Sequence, residues 1–317
     1  MNVFSTDAIL LRRTEYGDYD LIISYFTRSM GRISVIAKNA KKSIRRFAGA
    51  LDPFIAMNIE CSWPKRKGGL PVLNSVDIEN PFARIRQSAA KTGYASYWLE
   101  IISSWMEEGK PDQALYDLVF HVLESLNAGK IPMEVLSVLF QIRFMGISGF
   151  TPNLMGCGQC GMPVDEIHQH KITFDLISGR LICDKCGPGK SGSDRFSIHE
   201  AIAGYCANEA SGIDYSIKEK PKSNYPAKIS YSTNEEPRTG YNTNAESKGS
   251  FHGISVSKGT LKQLSWMSNT DIRRAERLKF SYTAVKEGEN LLEGFIPCHI
   301  GRTMKSLKFL HRIRDVF

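Results

Sequence analysis

The sequence predicts an α+β protein of several domains: a small five-stranded β-barrel at the N-terminus, then an α-helical domain, with a zinc ribbon inserted into it. Three observations predict this. Apolar residues alternate with a period of two over the first 80 residues, the period lengthens to about 3.6 after Pro81, and two C-x-x-C pairs flank a further stretch of alternation.

The barrel is expected over residues 1–80. Its strands are "DAILLRRTEYG", "YDLIISYFTR", "GRISVIAK", "PFIAMNIECSW" and "GLPVLNSVDI", each bounded by turn-forming residues. Ile33, Val35 and Ala37 alternate with Ser34 and Ile36, and Ile55, Met57, Ile59 and Cys61 share one face. The first part of the helical domain is expected over 81–150. Tyr94, Tyr97, Trp98, Ile101, Ile102 and Trp105 form one helical stripe, which reads as core. A second stripe, Leu115, Leu118, Val119 and Val122, runs out at "NAGK", and a third, Val135, Val138, Leu139 and Ile142, starts at Pro132, a favoured first-turn residue.

The ribbon is expected over 151–195, where "KITFDL" and "RLIC" make a hairpin about Ser178 and Gly179. Residues 196–317 complete the helical domain. A capping box formed by Ser197 and Glu200 predicts a helix through Tyr205, and helical patterning resumes near Leu261. Between them, about 211–256 is polar, punctuated by Pro and Gly and without apolar period, which predicts a flexible insertion.

Composition narrows the class. The 317 residues are 42% hydrophobic and 23% charged, and no apolar run approaches the roughly 18 residues of a membrane span. The opening "MNVFSTDAILLRR" lacks the order of a secretory signal, so a reducing cytoplasm is expected, where cysteines bind metal more often than they pair. The net charge of +8 is uneven: residues 1–70 hold 12 Lys/Arg against 6 Asp/Glu, residues 71–150 hold 6 against 9, and residues 259–317 hold 11 against 6. Basic ends point to a polyanionic partner, of which nucleic acid is the commonest.

Cys157, Cys160, Cys183 and Cys186 carry the most specific signal. Each C-x-x-C turn brings two sulfurs to one point, and two such turns complete a tetrahedron of thiolates about 2.3 Å from a single structural zinc ion. Gly158, Gly161 and Gly187 sit in or just after the turns, where a positive φ costs little. A redox dithiol would open a helix beside a strand, and a catalytic zinc would keep an open position for water; neither description suits the pattern. His168 and His170 could replace one cysteine but read as exposed loop residues, and Cys61, Cys206 and Cys298 are isolated.

Two basic stretches follow strands. "RISVIAKNAKKSIRRF" holds Arg32, Lys38, Lys41, Lys42, Arg45 and Arg46 with Phe47 beside them, and "WPKRKGG" adds Lys65, Arg66 and Lys67 next to Trp63. A small barrel can offer such cations to phosphates and such aromatics to bases; the alternative is a set of solvated hairpin loops. No base-reading helix is evident, so backbone contacts should dominate. Nothing points to an enzyme: there is no GxxxxGK[ST], GxSxG or HExxH, and no GxGxxG placed between strand and helix. The pairs Glu107/Glu108 and Glu235/Glu236 fall at a helix end and in the insertion, where they read as solvated.

Taken together, "EYGDYDLIISYFTRSMGRISVIAKNAKKSIRRFAGALDPF" at 15–54, "FQIRFMGISGFTPNLMGCGQCG" at 140–161, "CDKCG" and "GRTMKSLKFL" at 301–310 resemble the RecO family of bacterial recombination mediators. The resemblance spans almost the whole chain outside the insertion. It implies that the barrel is of the OB type and that the protein binds single- and double-stranded DNA, RecR and the single-stranded DNA-binding protein. The implied role is to act on DNA coated by that protein, to let RecA load with help from RecR, and to anneal complementary strands in the cytoplasm at the nucleoid. Arg143, in the third helix, is the candidate for holding the acidic tail of the coating protein. Asn39 departs from the pattern, standing where the family usually has Gly, which puts the local backbone in question. Two other classes remain: a zinc-ribbon module that binds RNA or accompanies transcription, and an interaction scaffold whose basic ends contact acidic proteins.

Overall fold

The structure, a computed structural model, describes residues 2–42, 47, 49–64, 66, 68–187, 253–277 and 279–314. The helix expected over Ser197–Tyr205 and the insertion up to 252 lie outside the described residues.

Five strands close a barrel in the order β1-β2-β3-β5-β4: β1 (Val3–Tyr16), β2 (Asp20–Thr27), β3 (Gly31–Ala37), β4 (Ala56–Ser62) and β5 (Val72–Asn80). Neighbours are antiparallel except β3 and β5, which touch in parallel at Ile36 and Val72, an arrangement that suits a small OB-type barrel. The alternation works as the sequence predicts. Burial in β3 alternates strictly, and Ile55, Met57, Ile59 and Cys61 fill the interior beside Tyr25 and Leu73. Phe47 is also in this interior, 4% exposed, so it cannot stack on a base. Asn39 has φ 56 and its N–H donates to Asp20 Oδ1 at 2.7 Å. The backbone therefore keeps the left-handed conformation a glycine would favour, because Asn tolerates it better than most residues.

The helical part begins with α1 (Ala83–Arg86), α2 (Ala89–Trp105), α3 (Gln113–Ala128) and α4 (Met133–Ile147). Ser88 and Asp112 cap α2 and α3 by accepting from Lys91 and Leu115 N–H groups, and Gly129 ends α3 at φ 70. Helix α4 is buried almost all round, including Ser137 and Gln141, because it is the central helix. Its buried polar groups are paired: Trp98 Nε1 donates to Ser137 Oγ at 3.3 Å and Tyr97 OH to Gln141 Oε1 at 3.1 Å. The aromatic stripe on α2 is thus core.

A four-stranded sheet of order β6-β8-β7-β9 follows: β6 (Asn153–Cys157), β7 (Lys171–Asp175), β8 (Arg180–Ile182) and β9 (Gly253–Ser257). The hairpin read from sequence is β7–β8, and it is widened by two strands the sequence did not reveal. Strand β9 takes up the end of the run expected as insertion to about 256, because Val256 is buried against β7. The chain closes with α5 (Lys258–Asn269), α6 (Ile272–Ala275), α7 (Tyr282–Ile300) and α8 (Lys305–Arg314).

One apolar core runs from the outside of the barrel through the helices into this sheet, joining Ile9 and Phe26 to Trp98, Phe140 and Phe295, and these to Phe174, Leu176 and Leu181. Burial of side chains of this size stabilises by roughly 1.5–3 kcal/mol each. Where the barrel meets the helices again, Gly31 sits against the Lys110 backbone, whose carbonyl oxygen leaves no room for a Cβ, and Gly109 N–H donates to Arg32 O at 3.0 Å. The barrel and helices are therefore in register with each other.

Candidate metal centre and nucleic-acid surface

Cys157 ends β6 and Cys160 follows in its turn; Cys183 follows β8 and Cys186 lies in the next turn. The parallel pairing of β6 with β8 brings the two turns together. All four sulfurs lie within 4.8 Å of one another, and no described cysteine is in a disulfide. The Cys160–Cys183 sulfur separation is 3.7 Å, close to the edge of about 3.8 Å for a tetrahedron whose corners are 2.3 Å from its centre. This group could hold a metal ion and is compatible with a zinc ribbon. His168 and His170 are exposed and outside it, as the sequence predicts.

Charge on the sulfurs is arranged by the fold. Burial would raise the Cys157 thiol, but N–H groups of Cys160, Cys183 and Gln159 outweigh it and bring the thiol down to about 6. Cys186 is pushed up to about 12, first by the Cys160 and Cys183 thiols, then by burial and Cys157. Cys157 thus ionises readily while Cys186 resists, and a bound cation would favour the thiolate at both. Gly161 has φ +75 and serves the turn as predicted; Gly158 is needed for space, since a Cβ there would lie 2.7 Å from the Arg180 side chain. Gly187 has neither constraint.

The sheet does not depend on these cysteines for its core. Leu154, Val164, Ile167, Ile172, Phe174 and Leu181 belong to the continuous core, and Phe174 meets Phe295 of α7 edge-on at 5.5 Å. Residues 157–186 therefore have apolar packing beyond the cysteines, part of it supplied by helix α7.

The described basic residues of the barrel do not converge on one groove. Lys41 pairs with Glu15 at 2.9 Å, and its N–H donates to the Tyr19 carbonyl, which places the loop after β3 over the β1–β2 turn. The hydrogen bond and charge of Lys41 hold Glu15 below its ordinary value. Lys42 lies 3.5 Å from the centre of the Tyr19 ring. Lys38 is exposed near them; Arg45 and Arg46 lie outside the described residues. Trp63, by contrast, donates its N–H to Asn2 and packs on Phe4 at 4.6 Å, at the opposite end of the 14-residue β1. Arg66 is exposed there, and Lys65 and Lys67 lie outside the described residues. Arg32 points into the barrel–helix junction, where Nη1 donates to Ser103 O at 3.4 Å and buried Nε has no hydrogen-bond partner among the described residues.

Sequence reasoning missed Tyr16 and Tyr19, 55% and 45% exposed beside Lys41 and Lys42. Their signal was present in "EYGDYD": two aromatics flanking a turn have no interior to fill. Arg143 is half-buried on α4, and its Nε and Nη2 have no hydrogen-bond partner among the described residues. Burial lowers its pKa, partly offset by Asp271. Ile147, one turn further along the helix, is exposed.

Residues 1–82 match the family model Recombination protein O N terminal, and residues 86–197 with 228–308 match Recombination protein O C terminal. The chain is 32% identical over 312 residues to a DNA repair protein RecO of Desulfosudis oleivorans, with 98% of each chain covered. A DNA repair protein RecO of Desulfatibacillum aliphaticivorans is 32% identical over 98% of this chain and 97% of its own. One from Exiguobacterium sibiricum is 34% identical over 56% of this chain.

Proposed function

The chain belongs to the Recombination protein O family and has a role in DNA repair and recombination, and from that premise we propose that it is a non-enzymatic mediator acting on DNA coated by the single-stranded DNA-binding protein. It binds single- and double-stranded DNA, works with RecR so that RecA can load, and anneals complementary strands. The observation that carries this reading is the end of the barrel where Lys41 and Lys42 sit with exposed Tyr16 and Tyr19. Cations there neutralise phosphates and the rings stack on bases, which is how small barrels hold single strands without reading sequence. Neutralised strands repel one another less, so annealing needs no bond chemistry.

The four cysteines hold zinc, because four thiolates at tetrahedral spacing match its preference and leave no position for a reactive water. Arg143 receives the acidic tail of the coating protein; a guanidinium with Nε and Nη2 unpaired among the described residues and an exposed Ile147 nearby suit an acidic, partly apolar segment.

The test is single-strand binding across a salt series. K41A/K42A should weaken binding on every sequence and reduce the slope of log affinity against log salt by about 1.4, at about 0.7 per phosphate contact. Unchanged affinity and slope would place the DNA elsewhere on the molecule.

A further inference from the structure

We propose that the cleft between barrel and helices is a second seat for the DNA strand, in which Arg12, Arg86 and Arg302 take the sugar–phosphate backbone. The proposal rests on the reading of the chain as a DNA-binding protein and extends it to a site outside the basic stretches of the barrel.

The cleft has a volume of about 610 Å³, large enough for a small ligand, and it carries three arginines from a strand, a helix and a connecting loop. Each is pinned by its backbone. Arg12 follows a β-bulge, the β1–β2 register shifting between Leu10 and Arg12, so that consecutive residues Leu11 and Arg12 both line the cleft. Arg86, at the end of α1, donates Nη1 to the carbonyls of Pro53 and Pro81 at 3.0 and 2.9 Å. Arg302 lies between the left-handed Gly301 that ends α7 and the start of α8, whose Lys305 and Ser306 N–H groups are held by Glu100 at 3.1 and 2.7 Å. Among the described residues Glu100 is the only carboxylate lining the cleft, and both its oxygens are engaged by α8.

The cations of the cleft are not neutralised by carboxylates among the described residues, although Arg86 Nη1 is held by two carbonyls. Arg12 and Arg302 are exposed and make no ion pair among the described residues. A second cavity of about the same volume, near Tyr94 and Tyr282, makes the contrast: its Arg314 and Lys286 are committed to Glu289 and Glu293. Phe54, also on the cleft wall, is held at φ 67, an unfavourable conformation for a bulky residue and one that concentrates at functional sites.

A path leads there from the exposed tyrosines. With no further register shift between them, Arg12 and Tyr16 lie on the same face of β1, roughly 13 Å apart along the strand. A single strand stacked at the hairpin turn can thus follow β1 into the cleft. The ligand is a run of phosphodiesters, because three separated guanidiniums suit an extended polyanion better than one compact ion.

The experiment measures binding of a labelled mixed-sequence single strand of about 30 nucleotides across a salt series, long enough to cover both seats. It compares wild type, R12Q/R302Q and an equal-charge control, R277Q/K279Q, whose residues are exposed between α6 and α7. The expected result is a slope lower by about 1.4 for R12Q/R302Q and unchanged for the control. If wild type binds and both variants give the same slope, the cleft is not a DNA seat, although the protein remains a DNA binder. If wild type does not bind at all, the DNA-binding reading fails and the cleft proposal fails with it.

Discussion

Glu287 illustrates how one side chain joins two parts of the fold. Its Oε2 accepts from Ser257 N–H at 2.9 Å, Ser257 Oγ at 2.7 Å and Thr260 Oγ1 at 2.6 Å, so it ties the junction of β9 and α5 to α7. Burial acts to raise its pKa, but these hydrogen bonds and Lys171 outweigh burial and hold the carboxyl below its ordinary 4.5. A depressed folded-state pKa contributes stability that is complete above the unfolded value and is lost as pH falls through the folded one. Glu287→Gln should therefore lower the urea midpoint at pH 7, and the difference from wild type should shrink as pH drops below 4.5. An equal difference at neutral and acid pH would show that charge is not what Glu287 contributes. No local pattern announces such a residue, because its partners are 27 and 30 positions away. Asn39 differs in this respect: its departure from the family pattern was legible, and it takes a left-handed φ of 56, which Asn tolerates better than most residues.

Among elements, legibility followed the range of the forces that make them. The helices α2 and α3 and the hairpin β7–β8 were visible because period, capping and turns are local. Strands β6 and β9 were not, since each is a strand only by pairing with β8 or β7. The same pairing changes what metal removal should do. The sheet is anchored on α7 through Phe174, and through Leu176, which packs against Gly294, while in the cysteine turns Cys160 is exposed and Cys186 only half-buried. Cys183→Ser, Cys186→Ser should lose about one zinc per chain. Limited proteolysis should then cut at 157–162 and 183–187 while β7 and β9 stay protected, and single-strand affinity should fall by no more than about twofold. Abolished DNA binding with an intact barrel would make the cysteine turns part of the binding surface.

At the scale of the molecule, the charge asymmetry was legible and its geometry was not. Residues 1–70 carry twice as many cations as anions, yet Lys41 and Arg66 lie at opposite ends of β1, and Arg32 faces the junction with the helices. Closure of the barrel decides those positions, and closure is a long-range property. The C-terminal helix shows the same dependence. Arg314 of α8 reaches Glu289 and Glu293 of α7 at 2.9 and 2.8 Å and Tyr94 of α2 at 2.9 Å, so the last described turn of the chain is fixed to the first long helix. Cations at one barrel end and in the cleft between barrel and helices are what the proposed holding of strands requires. The most direct measurement is annealing of two complementary strands, each bare or coated with the single-stranded DNA-binding protein, followed by fluorescence quenching on pairing. The account predicts that this protein accelerates annealing of both, and that Arg143→Ala slows the coated reaction selectively. DNA binding without any acceleration of either reaction would contradict the mediator reading and leave a nucleic-acid-binding module in its place.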